Sequence, residues 1–289
     1  MDPRDDIREF LTSRRAKITP EQAGLPAYGY NRRVKGLRRE EAAMLAGISV
    51  EYYTRLERGN AAGVSEDVLE GISRALHLDE AERAHLFDLV RAANATSTTS
   101  RRHPSQERVR PTIQRILDSI TAPAYVRNGR LDLLAANALG AALYAPVFDT
   151  ATGTPNMARF IFLNKRASEF FDSWENIAND AVAILRAEAG RDPYDKRLSD
   201  LIGELSTRSD EFRVRWAAHN VKFHRTGAKT LHHPVVGDLT LDYEALDLPG
   251  DDGQRILIYS AEPASRSQEA LDLLASWRTA PAAIDIDER

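Results

Sequence analysis

Cysteine is absent from all 289 residues, which excludes structural disulfides, thiolate zinc sites and cysteine nucleophiles. Long apolar runs are absent too. No stretch reaches bilayer-spanning length, and the opening Met-Asp-Pro-Arg-Asp-Asp carries charge where a signal sequence needs an apolar core. The expected location is the cytoplasm, with no membrane partner. No internal repeat or true low-complexity tract is present. P-loop, G-x-G-x-x-G, G-x-S-x-G and H-x-x-x-H patterns are all missing. The nearest approach to a metal-dependent hydrolase is His219, His224, His232 and His233 with Asp238 or Asp242. His232 and His233 are adjacent, however, and on a strand they point to opposite faces. No catalytic residue, metal ligand or cofactor is assigned.

The formal net charge of −4 is small, and its distribution says more. Residues 1–60 hold twelve Lys/Arg against nine Asp/Glu, whereas residues 236–289 hold four against twelve. A basic beginning and an acidic end suit a nucleic-acid-binding domain joined to one that does not touch nucleic acid.

The densest pattern lies between Arg38 and Gly59. A first short helix is expected from about Arg39 to Ala46. Gly47 ends it, because a helix terminus needs the left-handed conformation that glycine tolerates. Ser49 caps the next helix, with Glu51 in its first turn near the positive dipole end. Ala42, Ala43, Ala46 and Ile48 can pack on Tyr53 and Leu56, leaving Val50, Glu51, Thr54 and Arg55 outward. A small-residue helix, a glycine turn and a second helix with a polar outer face make a helix-turn-helix that reads DNA. Arg55 can donate twice to guanine, Glu51 can accept from cytosine N4, and Val50 can touch a thymine methyl; Thr54 completes the base-reading face. For Arg55 a phosphate contact or an i, i+4 pair with Glu51 stays open. Arg38, Arg39 and Ser49 are placed for phosphate. Flanking helices complete a five-helix pattern. The first is Asp5–Lys17, with Ile7, Phe10 and Leu11 on its apolar face. Glu66–Leu76 is capped by Ser65, and a fifth helix opens on an Asp79/Glu82 capping box.

Residues 93–111 read as a linker, with Arg101, Arg102, Arg108 and Arg110 available for phosphate contacts. From Thr112 the pattern becomes mixed. A helix over Thr112–Ser119 leads to two short strands, Ala124–Arg127 and Arg130–Ala136, around Asn128-Gly129. Asn137 opens a helix ending near Tyr144, and helical spacing dominates through Trp216. Short strands are expected at Val221–His224 and Thr230–His233 around a Thr226-Gly227 turn. Asp238–Ala245 alternates cleanly, Arg255–Ala261 reads as a central strand, and a last helix spans Ser267–Arg278. The result is an α+β domain with helices on one face of a small sheet.

The N-terminal pattern resembles the Xre-type, phage-repressor-like helix-turn-helix domain, whose typical closing is carried by Leu56-Glu57-Arg58-Gly59. The long Thr19–Lys35 segment, rich in Gly, Pro and Tyr, departs from that family. Over nearly the whole chain the order of segments resembles the MmyB-like transcription regulators. It rests on Leu37–Glu41, Asn156–Phe162, Asp180–Ala183, Leu185–Arg191, Phe212–His219, His233–Gly237 and Leu239–Glu244. The resemblance implies an all-α helix-turn-helix bundle of five helices at 1–92, a linker at 93–111, a PAS-like ligand-binding and dimerisation domain at 112–279 and a tail at 280–289. It implies double-stranded operator DNA, a small apolar, fatty-acid-like ligand and a homodimer as partners, and a Glu41–Arg32 type of clamp. Candidate ligand-binding residues are Tyr125, Asn137, Phe160, Phe170, Trp174, Trp216, His219 and Tyr243. His219 shares a helical face with Phe212 and Trp216 and needs a hydrogen-bond partner, whether a ligand oxygen or a backbone carbonyl. Ala136 stands where relatives carry tryptophan, which reshapes the pocket. The alternatives are a DNA-binding dimer whose second domain serves only protein interaction, and an adaptor that binds no DNA.

Overall fold

The computed structural model describes residues 3–25, 34–94, 108–151, 153–218, 226–250 and 253–279. In chain order the helices of the N-terminal part are α1 (Pro3–Lys17), α2 (Arg39–Ala46), α3 (Val50–Glu57), α4 (Glu66–Ala75) and α5 (Glu80–Asn94). There follow α6 (Pro111–Ser119), β1 (Ala124–Arg127), β2 (Leu133–Ala136), α7 (Ala138–Leu143), α8 (Ala145–Asp149), α9 (Met157–Leu163), α10 (Ala167–Phe170), α11 (Trp174–Arg191), α12 (Lys196–Arg208) and α13 (Asp210–Ala217). Three strands, β3 (Thr226–His233), β4 (Gly237–Asp247) and β5 (Arg255–Ser260), precede α14 (Arg266–Thr279).

Packing divides the chain into two compact units, residues 1–102 with 182–223, and residues 103–181 with 224–289. The first unit is helical. Ile7, Phe10 and Leu11 of α1 join Ala42, Ala43, Tyr53, Leu56, Leu69, Ile72, Leu86 and Leu89 in one core. The caps are those the sequence specifies. Gly47 takes φ 71° after α2, Ser49 accepts from the Tyr52 amide, and Ser65 accepts from Val68. Asp79 and Glu82 exchange side-chain-to-backbone bonds ahead of α5. Most of α11, with α12 and α13, completes this unit. Gly190 of α11 lies so close to His85 that a Cβ there would sit 2.6 Å from the imidazole.

The second unit is built on a five-stranded sheet in the order β2-β1-β5-β4-β3, with antiparallel pairing throughout. β5 is central, as its continuous apolar run requires. On β4, Leu239, Leu241, Tyr243 and Ala245 are buried and alternate with exposed neighbours. The sequence places helices on one face, but both are covered. Ile113 and Leu117 of α6 pack on Ala124, Val126 and Ile256, while Tyr144, itself against Phe170 of α10, meets Tyr125 and Tyr259 on the opposite face. β1 and β5 carry apolar side chains on both sides, so one layer of helices leaves half of them in water, whereas the outer side of β4 is polar and exposed. A second correction concerns Thr226-Gly227. It is not a turn but the start of β3, paired with Glu244 and Tyr243. The proposed strand Val221–His224 lies outside the described residues.

Candidate nucleic-acid interface and ligand-binding core

The helix-turn-helix holds its geometry through one buried carboxylate. Glu57, at the end of α3, is 1 % exposed and accepts from Arg15 Nε at 2.6 Å and from Arg39 Nε. Arg15 also donates to the Leu37 carbonyl at 2.8 Å, tying the entry to α2 to α1. Tyr53 packs under this group, and burial holds its phenol far above the ordinary value. Glu41 accepts from the Arg38 amide at 2.6 Å; the expected partner Arg32 lies outside the described residues. The sequence offers no signal that Glu57 sits between arginines, beyond its place in the Leu56–Gly59 closing.

The outer face of α3 presents Val50, Glu51 and Arg55 to solvent, with Thr54 half-buried. Arg55 stacks its guanidinium 4.7 Å over the Tyr52 ring. Tyr52, not singled out in the sequence, thus preorganises Arg55. Arg38 and Arg39 are both about half-exposed at the start of α2, and Ser49 is exposed although its hydroxyl oxygen caps α3.

In the second unit the inner sheet face gathers aromatic rings. Tyr144 lies 5.2 Å from Tyr125, 5.6 Å from Tyr259 and 6.0 Å from Phe170, centroid to centroid. Phe160 meets Phe170 at 6.0 Å, and Tyr243 meets Tyr259 at 5.8 Å. Tyr144 donates to the Tyr259 hydroxyl oxygen at 2.8 Å, and the Tyr125 and Tyr259 hydroxyls are 3.3 Å apart. Burial raises the pKa of all three phenols, so they stay protonated. Lys229 reaches the same place from β3, its Nζ 3.4 Å from Tyr259 Oη and 4.6 Å from the Tyr243 ring centroid. An open groove of about 610 Å³ runs over β3, β4 and β5, walled mainly by residues of the opposite, outer face: Ala228, Asp242, Glu244, Ile258 and Ser260.

Two family models match the chain. One, described as the MmyB-like transcription regulator ligand binding domain, covers residues 109–274, more than half of the chain. The chain belongs to the MmyB-like transcription regulators. The other, a helix-turn-helix domain, covers residues 12–86. No curated protein matches the chain. This member of the family is therefore a DNA-binding transcription regulator with a ligand-binding domain, and no helix among its described residues is long and apolar enough to cross a membrane.

Of the sequence-derived ligand candidates in this MmyB-like regulator, Tyr125, Phe160, Phe170 and Tyr243 converge on the aromatic cluster. Asn137 instead caps α7. Its side-chain oxygen accepts from the Ala124 and Gly140 amides, and its amide donates to the carbonyls of Ile120 and Ala122. Trp174 donates to the Ile161 carbonyl at 3.1 Å beside Phe162. Trp216 belongs to the helical unit, stacked 5.5 Å from Phe212 with the Arg186 guanidinium 4.0 Å over its ring. His219 lies outside the described residues. Sequence reasoning missed Tyr144 and Lys229. Lys229 falls one residue before the strand expected at Thr230–His233, and starting that strand at Thr226 puts it on the face of Leu231. His232 and His233 do point apart: His233 is buried and donates from Nε2 to the Ala142 carbonyl, whereas His232 is exposed beside Asp238.

Proposed function

We propose that this regulator binds its operator in the cytoplasm as a homodimer and senses a small, largely apolar, fatty-acid-like molecule through the second domain. Val50, Glu51, Thr54 and Arg55 read bases. Arg38, Arg39 and Ser49 meet phosphate. The observation that carries the sensor reading is the aromatic cluster on the inner sheet face, where a chain-like ligand finds apolar ring faces beside a few fixed polar groups, the usual make-up of a small-molecule site. A ligand shifts operator binding only by its differential affinity for two arrangements. A tenfold change in operator affinity needs about 1.4 kcal/mol of such coupling. The sequence-based route for it is α6, after the linker. α11 offers another, since its first turns belong to one compact unit and the remainder to the other.

Calorimetry with medium-chain fatty acids and aldehydes, beside operator titrations with and without them, tests this reading. Binding of one class together with a changed operator affinity is the expected result. If none binds, and organic extraction of protein from its own host yields no apolar molecule, the second domain is a dimerisation module.

A further inference from the structure

The inner face of the sheet carries a cation in a place where cations are costly. Gly227, Lys229, Leu231 and His233 of β3 pair with Tyr243, Leu241, Leu239 and Gly237 of β4, and directly paired residues share a face. Lys229 thus belongs to the buried side, among the tyrosines. Its ammonium has three N–H donors. One reaches the Tyr259 oxygen at a long 3.4 Å, and the charge otherwise rests on the ring faces of Tyr243 and Tyr259. Among the described residues no carboxylate oxygen lies within ion-pair distance of it. Arg127 adds a second positive charge to this interior and Asp180 the opposing one, and burial drives the amine down to about 8. Tyr259 Oη already receives the Tyr144 proton as well. Donors outnumber well-placed acceptors at this spot.

We propose that Lys229, with the hydroxyls of Tyr259, Tyr144 and Tyr125 behind it, is the anchor for a carboxylate head group on the small molecule this domain binds. A carboxylate oxygen supplies the missing acceptor and the missing counter-charge in one atom, and a charge-assisted bond in such surroundings is stronger than a neutral one. A phosphate fits less well, because it calls for guanidinium forks or a set of backbone N–H groups, and the hydrogen-bonded cluster here offers one ammonium and phenols. Two residues before Lys229 on β3, Gly227 lets the Tyr243 phenol lie against the strand, where a Cβ would stand 3.1 Å from its oxygen. The apolar rings of Phe160 and Phe170 lie at the far side of the tyrosines, where an alkyl chain can be buried.

This inference rests on the sensor reading above, and one experiment separates the two. Full-length protein is titrated at pH 7 with dodecanoic acid and with dodecan-1-ol, in the wild type, Lys229→Met and Lys229→Arg. The expected result is an acid bound at least tenfold more tightly than the alcohol by the wild type. Lys229→Met should lose that preference while keeping its affinity for the alcohol, and Lys229→Arg should keep part of the preference. Equal affinities for acid and alcohol in the wild type overturn the anchor while the apolar sensor stands, and this comparison needs no variant to fold. A Lys229→Met loss that is the same for acid and alcohol also overturns it. Binding of neither molecule sinks the sensor reading itself.

Discussion

Glu57 bears on stability as much as on DNA reading. It is almost fully buried between Arg15 and Arg39, and removing one partner of a buried ion pair leaves the others uncompensated, typically at about 3–5 kcal/mol. Arg39 is half-exposed, which places Glu57→Gln near the lower end, at about 3 kcal/mol. Denaturant unfolding checks this, and a loss below about 1 kcal/mol contradicts the clamp. Asp6 on α1 poses a different question. Burial pushes its carboxyl up to about 6, with the positive Arg186 pulling the other way. The unfolded value is the lower one, 3.8, so between these values the folded chain holds a proton that the unfolded chain releases. Asp6 therefore contributes stability that is fully present below about pH 4 and lost as pH rises through about 6, by up to about 3 kcal/mol. Stability measured from pH 4 to 7.5 in wild type and Asp6→Asn should diverge over that window; parallel curves remove the assignment.

At the scale of elements, α3 unites the proposed reading face and a packed face in eight residues. Arg55→Ala is expected to weaken operator binding by about 1–3 kcal/mol and relax preference at one base pair, whereas Arg39→Ala weakens binding to all sequences alike. Titrations on an operator and its single-base variants separate the two, and an unchanged operator-to-random ratio for Arg55→Ala refutes the base-reading role. The turn after α3 is equally specific. Gly59 has φ 88°, and a Cβ there would run into the Arg4 backbone carbonyl, so Gly59→Ala should lower the melting temperature by several degrees, both through the left-handed conformation and through displacement of α1. A melting curve identical to wild type would show that this approach is dispensable. The bounds of α2 and α3 were legible because their signals are local: a glycine in the left-handed conformation, a serine oxygen three residues from the amide it accepts, and a 3.6-residue apolar period. β4 was legible for a similar reason, since Leu239 to Ala245 alternate without interruption. β3 was not. Thr226-Gly227 is a turn dipeptide by composition, and only pairing with Glu244 and Tyr243 makes it strand.

For the whole molecule, specificity argues for two copies. One helix-turn-helix reads only a few base pairs, and two-fold dimers read half-sites about 34 Å apart or at multiples of that spacing. Light scattering is expected to give a dimer on operator DNA, and a monomer both free and bound rules this out. The sequence by itself determined the helices and caps of the N-terminal part, the alternating strand β4, the central strand β5, a helical part followed by an α+β part, and the family, because caps, periodicity and short motifs act within a few residues. Tertiary structure alone decided which distant groups meet. Glu57 finds Arg15 across 42 residues and Arg39 across 18, Lys229 finds Tyr259 across 30, and residues 182–223 join the helical unit rather than the sheet that precedes and follows them in the chain. These meetings depend on packing between elements, and a buried charge reveals its role only once the groups that surround it are in place.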